Sequence, residues 1–129
     1  MNYQKTLIIL LFIISVLSLL ISGCTFVTPD YDSYTISYIK VTPTSATMEI
    51  NTSKFFKLWA YDSEDNSVPI DSSKVTWTAS YECWACGTVW TINPKNGSIT
   101  TYFTPKKAGR YRIYGHYKGR VDSSIIDAE

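Results

Sequence analysis

Two stretches decide the fold: Lys54-Phe55-Phe56-Lys57-Leu58-Trp59-Ala60-Tyr61 and Lys74-Val75-Thr76-Trp77-Thr78-Ala79. In the first, Phe56, Leu58 and Ala60 fall on one face of an extended chain and Phe55, Lys57, Trp59 and Tyr61 on the other. A period of two belongs to a strand, whose successive side chains point to opposite faces, so the Phe56 set is expected in a core. The second stretch opposes Val75, Trp77 and Ala79 to Thr76 and Thr78, and Trp77 is expected at the centre of that core.

Working outward, Thr35 to Thr42 alternates loosely with Ser37, Ile39 and Val41 on one face, and stops at Pro43, which cannot donate to a ladder. Met48 and Ile50 suggest a brief continuation before an Asn51-Thr52-Ser53 turn. Downstream, strands are predicted at Thr88–Ile92 and at Ser98–Thr104, where Ile99, Thr101 and Phe103 align. Another covers Arg110–Gly115, with Tyr111 and Ile113 inward and Arg110, Arg112 and Tyr114 outward, and Val121, Ser123 and Ile125 carry a last one. Turn chemistry separates them at Asp62–Ser67, Asn93–Gly97 and Tyr117–Gly119. About seven short strands at roughly 8 to 12 residue spacing read as an all-β sandwich. Composition agrees, because Thr, Ser, Tyr, Val and Ile dominate after residue 24 and helix formers are few.

The start of the chain is different. Lys5 precedes an apolar run from Leu7 to Ile21, about 22 Å long as a helix and shorter than the roughly 30 Å hydrocarbon core of a bilayer. That length suits the helical core of a signal peptide better than a membrane span. Ile21-Ser22-Gly23-Cys24 resembles the lipobox of prokaryotic lipoproteins, with Ile where that family prefers Leu. The resemblance implies cleavage before Cys24 and a lipid on its thiol, a membrane anchor whose strength grows by about 0.8 kcal/mol per buried methylene. Residues 1–23 are then the signal peptide, 24–34 a lipidated end and tether that holds the domain off the bilayer, and 35–127 the sandwich.

From about Ile36 to Ile126 the chain resembles the bacterial immunoglobulin-like (BIG-type) domains of surface proteins and intimin-type or invasin-like adhesins. The residues that carry this are Ile39-Lys40-Val41-Thr42-Pro43, Phe56 to Asp62, Val75 to Ser80, Asn96-Gly97-Ser98-Ile99-Thr100 and Ala108 to Ile113. The resemblance implies an immunoglobulin-like sandwich with a binding or adhesive role. The chain departs from it at residues 80–90, where Cys83, Trp84 and Cys86 are inserted. Leu58 and Ile113 stand at the places of the antibody-type inter-sheet disulfide, which leaves the core to burial alone. Tyr111 is either a tyrosine corner, bonded back to the backbone, or an ordinary aromatic core residue.

Charge excludes one class of partner. The chain has 12 basic and 11 acidic residues, and loss of Lys5 with the signal leaves 11 of each. A balanced chain is not a general nucleic-acid binder, which needs surplus basic charge for phosphates. Lys106, Lys107, Arg110, Arg112, Lys118 and Arg120 nevertheless fall in 15 residues free of Asp and Glu. They form either a solvated strand face or a basic patch for anionic head groups or acidic wall polymers.

Few residues suggest catalysis. Cys83-Trp84-Ala85-Cys86 has redox spacing, but thiol activation in that motif uses a helix N-terminus, and a β-rich run with Pro94 follows. A local disulfide in an exported domain is the simpler reading, with Trp84 at the tip of its loop. A zinc site would need two more ligands, and the chain has one histidine, His116. Asp62, Glu64, Asp65 and Asn66 lack the spacing and closing Glu of a calcium loop and read as a solvated turn. No metal and no cofactor is expected. Trp59, Tyr61, Trp84, Trp90, Tyr102 and Tyr114 all fall at outward or loop positions, and exposed rings in numbers can mark a binding face. Trp84, Trp59, Trp90 and Tyr61 are the binding candidates. The expectation is a lipid-anchored, non-enzymatic module with an envelope protein or glycan as partner, or alternatively an accessory lipoprotein of a larger envelope complex.

Overall fold

Alternation along each strand determines which side chains are buried. The structure, a computed structural model, describes residues 27–83 and 85–129 together with Tyr3. Cys24, Trp84 and the rest of the signal segment lie outside the described residues. Nine strands form among those described: β1 (Tyr38–Thr42), β2 (Ser45–Met48), β3 (Lys54–Tyr61), β4 (Ser67–Val68), β5 (Thr76–Tyr81), β6 (Trp90–Asn93), β7 (Thr100–Pro105), β8 (Gly109–Tyr117) and β9 (Arg120–Ala128), with a 3-10 turn at Ser72–Lys74.

They build two sheets. The first runs β1-β3-β7-β6 with β4 also on β3, and the second runs β2-β9-β8-β5. Setting aside the short β2 and β4, these are the two sheets of an immunoglobulin-like sandwich, with β1, β3, β7 and β6 opposite β5, β8 and β9. Every pairing is antiparallel except that of β2 with β9. The chain leaves the first sheet at Pro43 and enters the second at Ser45, so one stretch of sequence serves both layers.

Phe56, Leu58 and Ala60 are buried as their period requires, and Phe103, Tyr111, Ile113, Tyr117 and Ile126 join them. Trp77 is 2% exposed, and its indole N–H donates to the Ser98 carbonyl at 2.9 Å, so a second-sheet side chain bonds the segment that enters β7 of the first. Leu58 on β3 and Ile113 on β8 are fully buried in the shared apolar core, which holds the two sheets where a crosslink is absent.

Tyr111 forms a tyrosine corner. It lies two residues before Ile113 on β8, and its hydroxyl donates to the Lys107 carbonyl at 2.6 Å, with the Val89 carbonyl at 3.3 Å. Burial raises its pKa above the ordinary phenol value. Tyr81 stacks on it at 4.5 Å and passes over Gly109, where a Cβ would meet the Tyr81 ring at 2.7 Å. With φ of 138°, that position admits little but glycine.

One edge of the sandwich is closed by side chains. β1 is an edge strand with unpaired backbone groups, a template for unwanted pairing. Arg120 Nε donates to the Ser37 carbonyl at 3.0 Å, its terminal nitrogen donates to the Ile36 carbonyl, and Asp122 accepts from the Val41 N–H at 2.6 Å. Both residues sit at the start of β9.

Four details differ from the sequence reading. Ser37 is exposed and Ile36 is buried in its place, because regular pairing begins only at Tyr38. On β9, Val121 is 56% exposed, while Ser124, Ile126 and Ala128 face the core. The register explains this: Ser124 and Ile126 lie opposite the buried Ile113 and Tyr111 of β8. That strand also ends at Ala128, past the boundary read at 127. Finally, Tyr31 and Asp32, read as part of a tether, are fastened to the body. Lys118 donates to the Tyr31 carbonyl and to Asp32 at 2.9 Å, Lys74 reaches Asp32 at 3.3 Å, and these lysines hold the Asp32 carboxyl below its usual range.

Tyr111→Phe would remove the hydrogen bond from this buried side chain to the Lys107 carbonyl. It is expected to cost about 0.5–1.5 kcal/mol in urea denaturation, with the fold retained; an unchanged midpoint would show that the corner contributes nothing.

Candidate functional site

The alternation that buries Phe56, Leu58 and Ala60 turns Phe55, Lys57, Trp59 and Tyr61 onto the outer face of the first sheet. Register brings further rings beside them. Tyr38 of β1 lies opposite Tyr61, and their rings stack at 4.9 Å, 14° from parallel. Tyr102 of β7 lies opposite Phe55, and the pair meets edge to face at 5.6 Å. Between them the Lys57 ammonium lies 3.6 Å from the centre of the Trp59 ring, a cation–π contact, and Lys40 pairs across from Trp59. Five rings and two lysines thus share one outward surface, running from Phe55 to Tyr61 over roughly 20 Å.

A groove adjoins this strip. β7 pairs with Lys54 to Lys57 of β3, and β4 pairs with Ala60 and Tyr61, so β3 changes partner around Trp59. The resulting depression, about 320 Å³, is lined by Lys57, Trp59, Val68, Pro69, Ile70 and Ile99 among others. At the far end of the strip the Tyr38 hydroxyl donates to Asp65 at 2.9 Å, which raises its pKa. Asp62 accepts from the Glu64 and Asn66 backbone N–H groups and from the Asn66 amide; the Asn66 bonds lower its pKa. The acidic loop thus spends that carboxylate on its own turn.

The sequence candidates separate in space. Trp59, Tyr61 and Tyr102 come together on the strip. Trp90 does not join them: it lies on the inner face of β6 with Ile92, half-buried, its ring 6.3 Å from Tyr111 and edge-on to it. Its place in a four-residue edge strand explains the misreading, since Thr91 rather than Trp90 faces outward. Tyr114 is on the other sheet, 3.4 Å from Ser80, and His116 beside it bonds Thr78 at 2.8 Å. Tyr38 and Phe55 complete the strip and were not among the sequence candidates. Phe55 was read on this face of β3 without being singled out, whereas Tyr38 is found only by knowing that β1 flanks β3.

The six basic residues do not form one patch. Arg110 pairs with Asp127 at 2.7 Å, Arg112 contacts Ser123 at 3.4 Å, Lys118 holds Asp32, and Arg120 closes the β1 edge. Adjacency in sequence misled because β8 is nine residues long, so the two ends of the run stand roughly 25 Å apart. Lys106 and Lys107 remain exposed at the end far from the tether. There Cys83 and Cys86 are joined sulfur to sulfur across a Cα separation of 5.5 Å, and the Lys107 ammonium lies 3.9 Å from Cys86 Sγ. No group of three or more metal-ligating side chains occurs among the described residues. No described helix is long and apolar enough to cross a membrane.

No protein-family model matches the chain, and no curated protein sequence does. Solved structures do resemble it. Domains 4 and 5 of the S-layer protein SbsC superpose with a TM-score of 0.54 at 15% identity, covering 73% of this chain and 46% of that one. A longer structure of the S-layer protein, rSbsC(31-844), superposes at 0.50 and 12% identity, covering 74% and 13%. The ZirS C-terminal domain gives 0.51 at 16% identity, covering 79% and 77%. The chain therefore spans less than half the length of either S-layer structure. At these identities the likeness establishes the fold, an immunoglobulin-like β-sandwich.

The crosslink between Cys83 and Cys86 closes a loop of about four residues, so it constrains the unfolded chain by roughly 2 kcal/mol at most. Cys83→Ser/Cys86→Ser is expected to fold with the same strand content and lose no more than that in thermal unfolding. Loss of the fold in the double variant would show that the loop organises the sandwich.

Proposed function

We propose that this chain is a non-enzymatic binding or adhesion module held at the cell surface or envelope by a lipid on Cys24, and that it meets an envelope protein or glycan through the outer face of its first sheet. The observation that carries the reading is the strip itself, five rings on one outward surface of a domain with a complete core behind them. Rings of this kind bury much area at low entropy cost and are frequent anchors of interfaces. The surface origin of the S-layer proteins whose fold it shares supports an exported location, as do the lipobox-like Ile21-Ser22-Gly23-Cys24 and the BIG-type sequence resemblance. On this reading Cys83 and Cys86 stand at the end away from the tether, since Asp32 is tied to Lys74 and Lys118 at the other.

Two substitutions test the reading. Cys24→Ser is expected to abolish lipid labelling and either release the protein to the medium or leave the signal uncut; membrane retention at mature size would contradict the anchor. With Cys24 intact, Trp59→Ala is expected to reduce attachment of the protein to isolated envelope fractions by about tenfold, the loss expected for an aromatic anchor contributing about 1.4 kcal/mol. Tyr114→Ala, on the opposite sheet, should leave attachment unchanged. Equal attachment of all three proteins would remove the strip from the account.

A further inference from the structure

The charge on the strip narrows the ligand. Lys40 and Lys57 lie among the rings, and no outward position of β1, β3, β4, β6 or β7 carries a carboxylate. The opposite sheet differs, for there Arg110 is already neutralised by Asp127 at 2.7 Å. The two lysines are therefore local positive charge along the middle of the strip, while the acidic Asp62–Asp65 loop is confined to its Tyr61 end, where Asp65 accepts from the Tyr38 hydroxyl, in a chain whose overall charge is nearly balanced. Lys57 is also held against Trp59, so an anion docking there meets a positioned cation beside an apolar ring.

We infer that the outer face of the first sheet binds an acidic polysaccharide, laid along β3 with its sugar faces on Phe55, Trp59 and Tyr61 and its carboxylates at Lys40 and Lys57. This rests on the binding role proposed above and names its ligand class. Three features favour an extended sugar chain. The strip is narrow and roughly 20 Å long, which fits a polymer lying along the strand direction. Apolar C–H faces of pyranose rings stack on exposed aromatic rings, while Tyr and Thr hydroxyls such as those of Tyr102 and Thr100 supply partners for sugar hydroxyls. The groove beside Trp59, about 320 Å³, leaves space for a substituent or branch next to the main chain. Two lysines are too few for a nucleic-acid backbone, whose affinity comes from many phosphate contacts.

The test uses the full chain purified in a non-ionic detergent and four probes: polygalacturonate, its methyl-esterified form, dextran and poly-glutamate, each titrated by calorimetry. Polygalacturonate is expected to bind, about tenfold more weakly in Trp59→Ala and in Lys40→Gln/Lys57→Gln, and more weakly as salt is raised. Near-ultraviolet circular dichroism reports whether each variant keeps the core around Trp77. Absence of polygalacturonate binding overturns the inference. So does equal binding of poly-glutamate, which would make charge alone the determinant. Equal Trp59-dependent binding of the esterified polymer or dextran overturns the acidic assignment while leaving the binding face in place. Polygalacturonate binding that ignores Trp59→Ala in a folded variant overturns both.

Discussion

Trp77 is the residue on which the two layers depend. Its indole fills the space between the sheets, and its N–H is bonded to the Ser98 carbonyl on the approach to β7. A buried indole N–H without a partner would cost free energy comparable to a lost hydrogen bond, so ring position and chain path at Ser98 fix each other. With no crosslink between β3 and β8, this bond and the packing of Leu58, Ile113 and Tyr111 set the spacing of the sandwich. Gly115 shows how closely: a Cβ there would lie 2.7 Å from Leu58 Cδ1 and 3.2 Å from the Trp77 ring. A core packed to that density has little room for an added methylene, and the outer face inherits its flatness and register from it.

Function follows from the other half of the same alternation. A strand that buries every second residue must present the remainder, and on β3 the remainder is Phe55, Lys57, Trp59 and Tyr61. The edges are treated differently. Arg120 and Asp122 occupy free backbone groups beside β1, which disfavours strand addition at that edge and favours the sheet face in the proposed binding role. Asp32 is fastened near the β8–β9 turn, so the strip runs lengthwise from the end of the domain where the chain enters toward the opposite one.

Much of this was legible in the sequence, and the reasons for the rest are physical. Strong alternation with large apolar residues identified both faces of β3 and the burial of Trp77, while for Tyr111, just after Gly109, it left open a corner or an ordinary core aromatic, which its bond to the Lys107 carbonyl decides. Where polar residues enter the core, the pattern lost its contrast. Ser124 and Asp122 face inward on β9 while Val121 and Ile125 face outward, a phase that only pairing with β8 determines. The basic run looked like a patch because sequence carries no distance, and a nine-residue strand separates its ends. The aromatic strip was half legible: Trp59 and Tyr61 share a strand, but Tyr38 and Tyr102 arrive from strands distant in sequence, and only register places them beside β3.

The central claim is that one face of this sandwich meets the partner. Photo-crosslinking on intact cells, with a diazirine side chain placed at Tyr102 on the first sheet or at Tyr114 on the second, tests it most directly. Both positions are on outer faces of folded strands, and a diazirine inserts into protein and glycan alike. The expected result is adducts of raised mass from Tyr102 and none from Tyr114. Adducts from Tyr114 alone, or equally from both, would contradict the account.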